Sequence, residues 1–259
     1  MRLVFPSAAA LVLLGAGALV LLTTTPTLTL ADVLKAAEKH KLGKCKETQT
    51  TETKDGDSGS TERVFYFDVH SLRTRSETRV VTLNRAVESV SVQINDGPKG
   101  RFLATLTETV VPGEENNPRL KGFGEGYFPR KGAVLQGTNQ AADPKKKQPT
   151  FVDRLRELEQ RKGVVVTKDK LGGREAVKFY LEDGKNTTQL WVDKETKLPL
   201  RYEFEILDHT PDIPRNKWVY SDFEWDAELP KGIKNLDALF DTTPPEGYKL
   251  DDQTKNEKK

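Results

Sequence analysis

Leu200, Tyr202, Phe204 and Ile206 alternate along the chain with Arg201, Glu203 and Glu205. A period of two places the two sets on opposite sides of an extended strand, so this stretch needs a sheet with one buried face and one wet face. A second run stands just before it. Leu190-Trp191-Val192 is apolar and β-prone, Asp193-Lys194-Glu195-Thr196-Lys197 is turn chemistry, and Leu198-Pro199 opens the alternating strand. Together they read as a half-buried hairpin, and no other stretch limits the fold class as strongly.

Similar text fills most of the chain. Lys44–Thr53 and Glu62–His70 flank the polar loop KDGDSGS and read as a hairpin, in which Phe65, Phe67 and Val69 alternate with Val64, Tyr66 and Asp68. Thr78–Leu83, Ser89–Ile94 and Phe102–Val111 are further strand candidates, with a tight turn signalled at Asn95-Asp96-Gly97. Asn116 to Gln148 is rich in glycine, proline and polar residues. It reads as a long loop with Lys145-Lys146-Lys147 as a solvated tip. Strands resume at Val164–Lys168, Ala176–Leu181, Thr188–Val192, Leu200–Leu207 and Lys217–Trp225, with turns at Leu171-Gly172-Gly173 and Glu182-Asp183-Gly184. Phe240 to Tyr248 is an irregular closing segment.

Two segments carry a helical period instead. Leu30 to Leu42 places Leu30, Val33, Leu34 and Ala37 on one face, with Thr29 and Asp32 at capping-box spacing and Gly43 as the stop. Thr150 and Asp153 repeat that spacing ahead of a helix whose stripe is Phe151, Leu155 and Leu158 and which Gly163 closes. With about ten strands joined by short links, the chain is mainly β (α+β), built on an antiparallel sheet.

The N-terminus bears on location. Met1-Arg2 is a short basic start, and Leu3 to Leu22 carries no charge. A secretory signal and a single membrane anchor share this layout. The chain therefore divides into a signal peptide or anchor plus linker over 1–29, a β domain over 30–250, and a disordered tail over 251–259. It is expected to be exported to the periplasm or cell envelope, either released or held at the inner membrane by residues 3–22. Thr29-Leu30-Ala31 has the small residues of a cleavage site, but cutting there would remove the helix cap.

Chemistry is not advertised. His40, His70 and His209 are far apart and none stands at metal-ligand spacing with another; Cys45 is the single cysteine, read as a strand residue of no special chemistry. There is no nucleophile elbow, phosphate loop or dinucleotide fingerprint, and Gly122-Phe123-Gly124-Glu125-Gly126 precedes no helix. The 41 basic and 39 acidic residues leave a net charge of only +2, which argues against nucleic acid as partner. The expectation is therefore no enzyme, with no catalytic residue, cofactor or metal. The aromatic and branched side chains on alternating positions fill a core between sheet and helices, or else a curved sheet encloses an apolar cavity that the helices partly plug.

WVDKETKLPLRYEFE, preceded by GGREAVKFYLE and followed by VYSDFEWD and LFDTTPPEGYKL, resembles the LolA-like lipoprotein-carrier superfamily, which includes the RseB-type periplasmic regulators of envelope stress. The helices ADVLKAAEKHK and the one at Thr150 fit the same plan, and the likeness spans about Leu30 to Leu250. The resemblance implies a strongly curved, unclosed antiparallel β-barrel of about ten to eleven strands, with two helices lidding an apolar cavity on its concave face. Members of that group bind or sense lipoprotein acyl chains there. The function so implied is a non-catalytic cell-envelope protein that holds a lipid, acyl chain or lipoprotein. The alternative is a membrane-tethered regulatory or interaction domain, with an envelope protein as partner and no lipid transport. Strand parity nominates Phe67, Phe102, Leu106, Phe179, Tyr202, Phe204 and Ile206 as lipid-binding residues.

Overall fold

The computed structural model describes residues 28–52, 58–71, 73–82, 86–97, 100–118, 120, 129–137, 150–207 and 215–253. The uncharged segment 3–22, the glycine cluster at 122–126, the lysine run at 145–147, His209 and the tail from 254 lie outside the described residues.

Twelve strands form one sheet. They are β1 (Leu42–Glu52), β2 (Ser58–Asp68), β3 (Arg73–Thr82), β4 (Val87–Asp96), β5 (Arg101–Val110), β6 (Arg130–Gly137), β7 (Val165–Leu171), β8 (Arg174–Glu182), β9 (Asn186–Asp193), β10 (Pro199–Ile206), β11 (Arg215–Trp225) and β12 (Lys249–Asp252). The spatial order is β12-β6-β5-β4-β3-β2-β1-β11-β10-β9-β8-β7, so the sheet stays open between its edges β12 and β7. Every pairing is antiparallel except the short parallel contact of β12 with β6. The helices are α1 (Leu30–Ala37), α2 (Phe151–Gln160) and the single turn α3 (Leu236–Leu239).

The fold class expected from the sequence is present: an open, mostly β sheet with short helices. Three expectations need correction. Residues 116–148 are not loop throughout, because β6 lies among them and pairs with β5 along its whole length. The tail does not begin at 251, because Asp251 and Asp252 extend β12 and Gln253 N–H donates to the Leu135 carbonyl. Gly43 does not stop α1: that helix ends at Ala37 with Glu38 as its cap, and Gly43 lies in β1.

Local chemistry accounts for the helix starts. Thr29 and Thr150 each accept the N–H of the residue three places on, and the Asp32 and Asp153 carboxylates reach back to the cap, so both capping boxes are closed. The β7–β8 hairpin turns on Gly172-Gly173, both at positive φ, the two-residue turn that suits the twist of paired strands. β11 bulges beside Cys45, where Asp222 takes φ 54° and two residues oppose one of β1.

The two halves of the sheet bury opposite faces. Over β7–β11 and onto β1 and β2, α1 and α2 cover one face. Val33, Leu34, Phe151, Val152, Leu155 and Leu158 meet Cys45, Phe67, Phe179, Leu190, Val192, Tyr202 and Tyr220 there. Over β1–β6 the covered face is the other one. The segment after β11, with α3, lays Leu239 and Phe240 on Leu42, Tyr66, Ile94, Leu103 and Ala133, with Leu229, Ile233, Leu236 and Tyr248 around them. Where the cores overlap, Tyr66, Phe67, Asp68 and Val69 are buried in succession. At this seam a Cβ on Gly43 would fall 2.0 Å from Phe67 Cζ, so only glycine leaves room for the ring.

Candidate functional site

Cross-strand register aligns Leu106, Ser91, Thr78, Arg63, Glu47, Tyr220, Tyr202, Leu190 and Phe179 in one row on the helix-bearing face. The row changes character as it crosses. On β7–β11 it is apolar and lies in the helix-covered core, while on β2–β4 it is polar and reaches beyond that core.

At this change of character a cavity of about 230 Å³ is lined by Glu47, Arg63, Phe65, Thr74, Ser76, Gln93, Asn95, Phe102, Arg154, Trp218 and Tyr220. Five strands of the sheet, together with α2, supply them. Glu47 is buried at an inward position of β1, 2.8 Å from Arg63 Nε, close enough for an ion pair although the N–H bond does not point straight at it. Arg63 also donates from Nη2 to Gln49 Oε1 at 3.0 Å. Burial, and next the Glu47 carboxylate, push the Tyr220 phenol well up, so it stays a neutral hydroxyl at physiological pH. Burial raises the Tyr202 phenol too, with the Arg154 guanidinium opposing it. Asn95 Oδ1 is buried and has no hydrogen-bond partner.

Parity placed all seven nominated residues on this one face, but not in one environment. Phe67, Phe179 and Tyr202 are fully buried beneath the helices as core, which leaves them no surface for a ligand. Phe102, Leu106, Phe204 and Ile206 are half-buried on the same face. Of the seven, only Phe102 lines the cavity. Phe204 stands 5.7 Å from Trp218, ring to ring, and Trp218 belongs to the cavity wall.

Glu47, Arg63, Asn95 and Arg154 were not singled out from the sequence. Three of them did carry a signal. Glu47 shares parity with Cys45, Arg63 shares it with Phe65 and Phe67, and Arg154 falls three residues after Phe151 on the apolar stripe of α2. A charge at an inward position marks either a buried ion pair or a site.

A second cavity, of about 380 Å³, opens on the opposite face beside the β11 bulge, with Lys44, Lys46, Arg79, Glu62, Glu77, Asp222 and Glu224 in its lining. Its charges are balanced and locally paired, as in Lys44–Glu224 at 2.7 Å and Lys46–Glu62 at 2.8 Å. Among the described residues no group of three His, Cys, Asp or Glu side chains could hold a metal ion. Cys45 is buried and its thiol is pushed up chiefly by that burial, so no reactive thiolate forms there. His40 Nδ1 is 2.8 Å from Asp226 and ties the end of α1 to the end of β11. His70 is exposed.

No protein-family model matches the chain, and no curated protein matches it. Solved structures do. The chain is similar to proteins of the LolA superfamily. A LolA superfamily protein from Nitrosomonas europaea is 10% identical with a TM-score of 0.28, over 81% of this chain and 98% of that one. MucB in complex with MucA is 12% identical with a TM-score of 0.28, over 78% of this chain and 56% of that one. An uncharacterised conserved protein from Thermus thermophilus is 11% identical with a TM-score of 0.41, over 86% and 98%. Likenesses this shallow carry nothing about function, which has to be read from the surface itself.

Proposed function

We propose that this chain is an exported, non-catalytic binding protein that takes an amphiphile on its helix-bearing face: a lipid, an acyl chain or the lipidated end of a polypeptide. One observation carries the reading. Phe65, Phe102, Trp218 and Phe204 stay half-buried where the helix cover ends, and the first three of them wall a cavity whose floor is polar. An apolar shelf beside a polar recess matches a molecule with a tail and a head. The cavity is small beside the roughly 300–1,000 Å³ of usual ligand clefts, so it suits a head while the tail lies along the shelf. Export is supported by the uncharged stretch from Leu3 to Leu22 after a basic start.

Native mass spectrometry of gently purified protein, with displacement of a fluorescent fatty acid, tests the reading. Bound lipid or probe is expected at one equivalent, weakened about tenfold or more by Phe102→Asn with Phe204→Asn, since each buried phenyl contact is worth about 1.5–3 kcal/mol. Absence of both copurifying lipid and probe uptake would sink it. N-terminal sequencing of the exported protein tests the location, and retention of the chain in the cytoplasm would overturn that part.

A further inference from the structure

The geometry points to the cavity on the helix-bearing face as a head-group site for an anion, carboxylate or phosphate, with Arg154 as the residue that meets it. The inference rests on the amphiphile reading above and adds the sign of the head. The cavity's charged groups do not cancel. Glu47 is engaged by Arg63 at 2.8 Å, while no carboxylate of the described residues lies within ion-pair distance of Arg154. Arg154 is half-buried between the α2 stripe and the Tyr202 and Tyr220 phenols. A guanidinium withdrawn from water without a counter-charge is costly, and an anionic ligand removes that cost. The planar fork of arginine also suits the two oxygens of a carboxylate or phosphate.

A second group in the wall speaks for a ligand independently of charge. Asn95 Oδ1 is buried, borders the cavity and accepts no hydrogen bond. A buried acceptor left without a donor is a rarity in folded proteins. A head carrying a hydroxyl or amide N–H next to its anionic group satisfies it while Arg154 holds the charge. Thr74, Ser76 and Gln93 line the same recess and offer further hydroxyl and amide partners. The neutral Tyr220 hydroxyl belongs to this set as well.

The opposite cavity makes the contrast. Lysine–glutamate pairs saturate its charges, and it has no comparable unpartnered group among the described residues.

The test compares four probes on the full exported chain in low salt: lauric acid, a lauroyl lysophosphatidylglycerol, the neutral monolauroylglycerol, and tail-free glycerol 3-phosphate. Both anionic amphiphiles are expected to bind about tenfold or more tightly than the neutral one, the usual worth of a hydrogen bond to a charged group. Arg154→Gln should remove that preference and leave the neutral amphiphile unchanged, and Arg154→Lys should keep part of it. Thermal unfolding of each variant checks that the fold persists, and the comparison of probes on the unaltered chain needs no variant. Equal binding of the charged and neutral amphiphiles overturns the head-group site while the amphiphile reading stands. So does an Arg154→Gln loss shared equally by all three. Binding of glycerol 3-phosphate as tight as that of the lysophospholipid shows a soluble phosphate site and overturns the amphiphile. Failure of all four probes overturns both.

Discussion

The guanidinium of Arg73 lies over the ring of Phe240, 5.1 Å from its centroid, and so binds the start of β3 to the segment that crosses the opposite face. The same group donates to Asp68 Oδ2 from Nη2 at 2.6 Å and from Nε at 3.2 Å, and to Asp237 Oδ1 at 2.7 Å. One side chain thus engages a buried carboxylate, an exposed carboxylate and an aromatic ring. Arg75 adds a second tie, to the Leu239 carbonyl at 3.3 Å.

Replacing Arg73 by alanine should cost about 3 kcal/mol, because Asp68 is then left buried without its counter-charge. The exposed Asp237 contact contributes little. Arg73→Lys keeps the charge but not the fork, and should fall between. Urea unfolding measures both. A loss for the alanine variant within about 0.5 kcal/mol of a neutral surface change would show that the tie is not structural.

Asp68 also sets an acid limit. Burial alone would raise its carboxyl, but Arg73 and the N–H groups of His70 and Ser71 outweigh it and hold it below the usual range. A depressed folded value gives stability that is complete above the unfolded pKa of about 3.9 and is lost as pH falls through the folded value. Asp68→Asn lacks this contribution, so its stability should lie below that of the unaltered chain at neutral pH and converge with it in acid. Denaturant midpoints from pH 7 downward follow the convergence; parallel curves would refute it.

Phe151 fastens α2. It is fully buried and its ring lies 4.8 Å from Phe223, 5.5 Å from Phe67 and 5.7 Å from Tyr202. Phe151→Ala should cost about 3–5 kcal/mol. Thr150→Ala, which opens the capping box one residue earlier, should cost about 1 kcal/mol. Near-ultraviolet circular dichroism should lose intensity in the first and keep it in the second.

Period and punctuation made most of the fold legible. The β9–β10 hairpin, the Gly172-Gly173 turn and both capping boxes stand where local chemistry puts them, because each depends on residues close in sequence. β6 was hidden among loop letters, since RKGAVLQG has little alternation and relies on its neighbour for backbone pairing. β12 is KLDD, four residues held by backbone bonds with side chains too polar to announce a strand. The segment carrying Ala227, Leu229, Ile233, Leu236 and Leu239 buries an apolar surface with no period at all.

The candidate site was legible by half. Alternation placed seven apolar residues on the correct common face, but it cannot say where a helix lies across them, and α1 and α2 claim Phe67, Phe179 and Tyr202. The cavity itself joins Glu47, Arg63, Asn95, Arg154 and Tyr220 from segments far apart along the chain. Sequence spacing has no access to such an assembly. Only the charges at inward positions hinted at it.

At the seam of the two cores, Gly43 and Phe67 share one volume. Gly43→Ala should cost about 1–3 kcal/mol by overpacking, and Phe67→Leu should cost stability on its own by leaving space unfilled. Combined, the two should cost less than their sum, and a double-mutant cycle measures that coupling. Substitution at either position is therefore contingent on the other. A methyl group at 43 becomes tolerable only after the ring at 67 has shrunk, and the order in which the changes are made decides whether the intermediate folds.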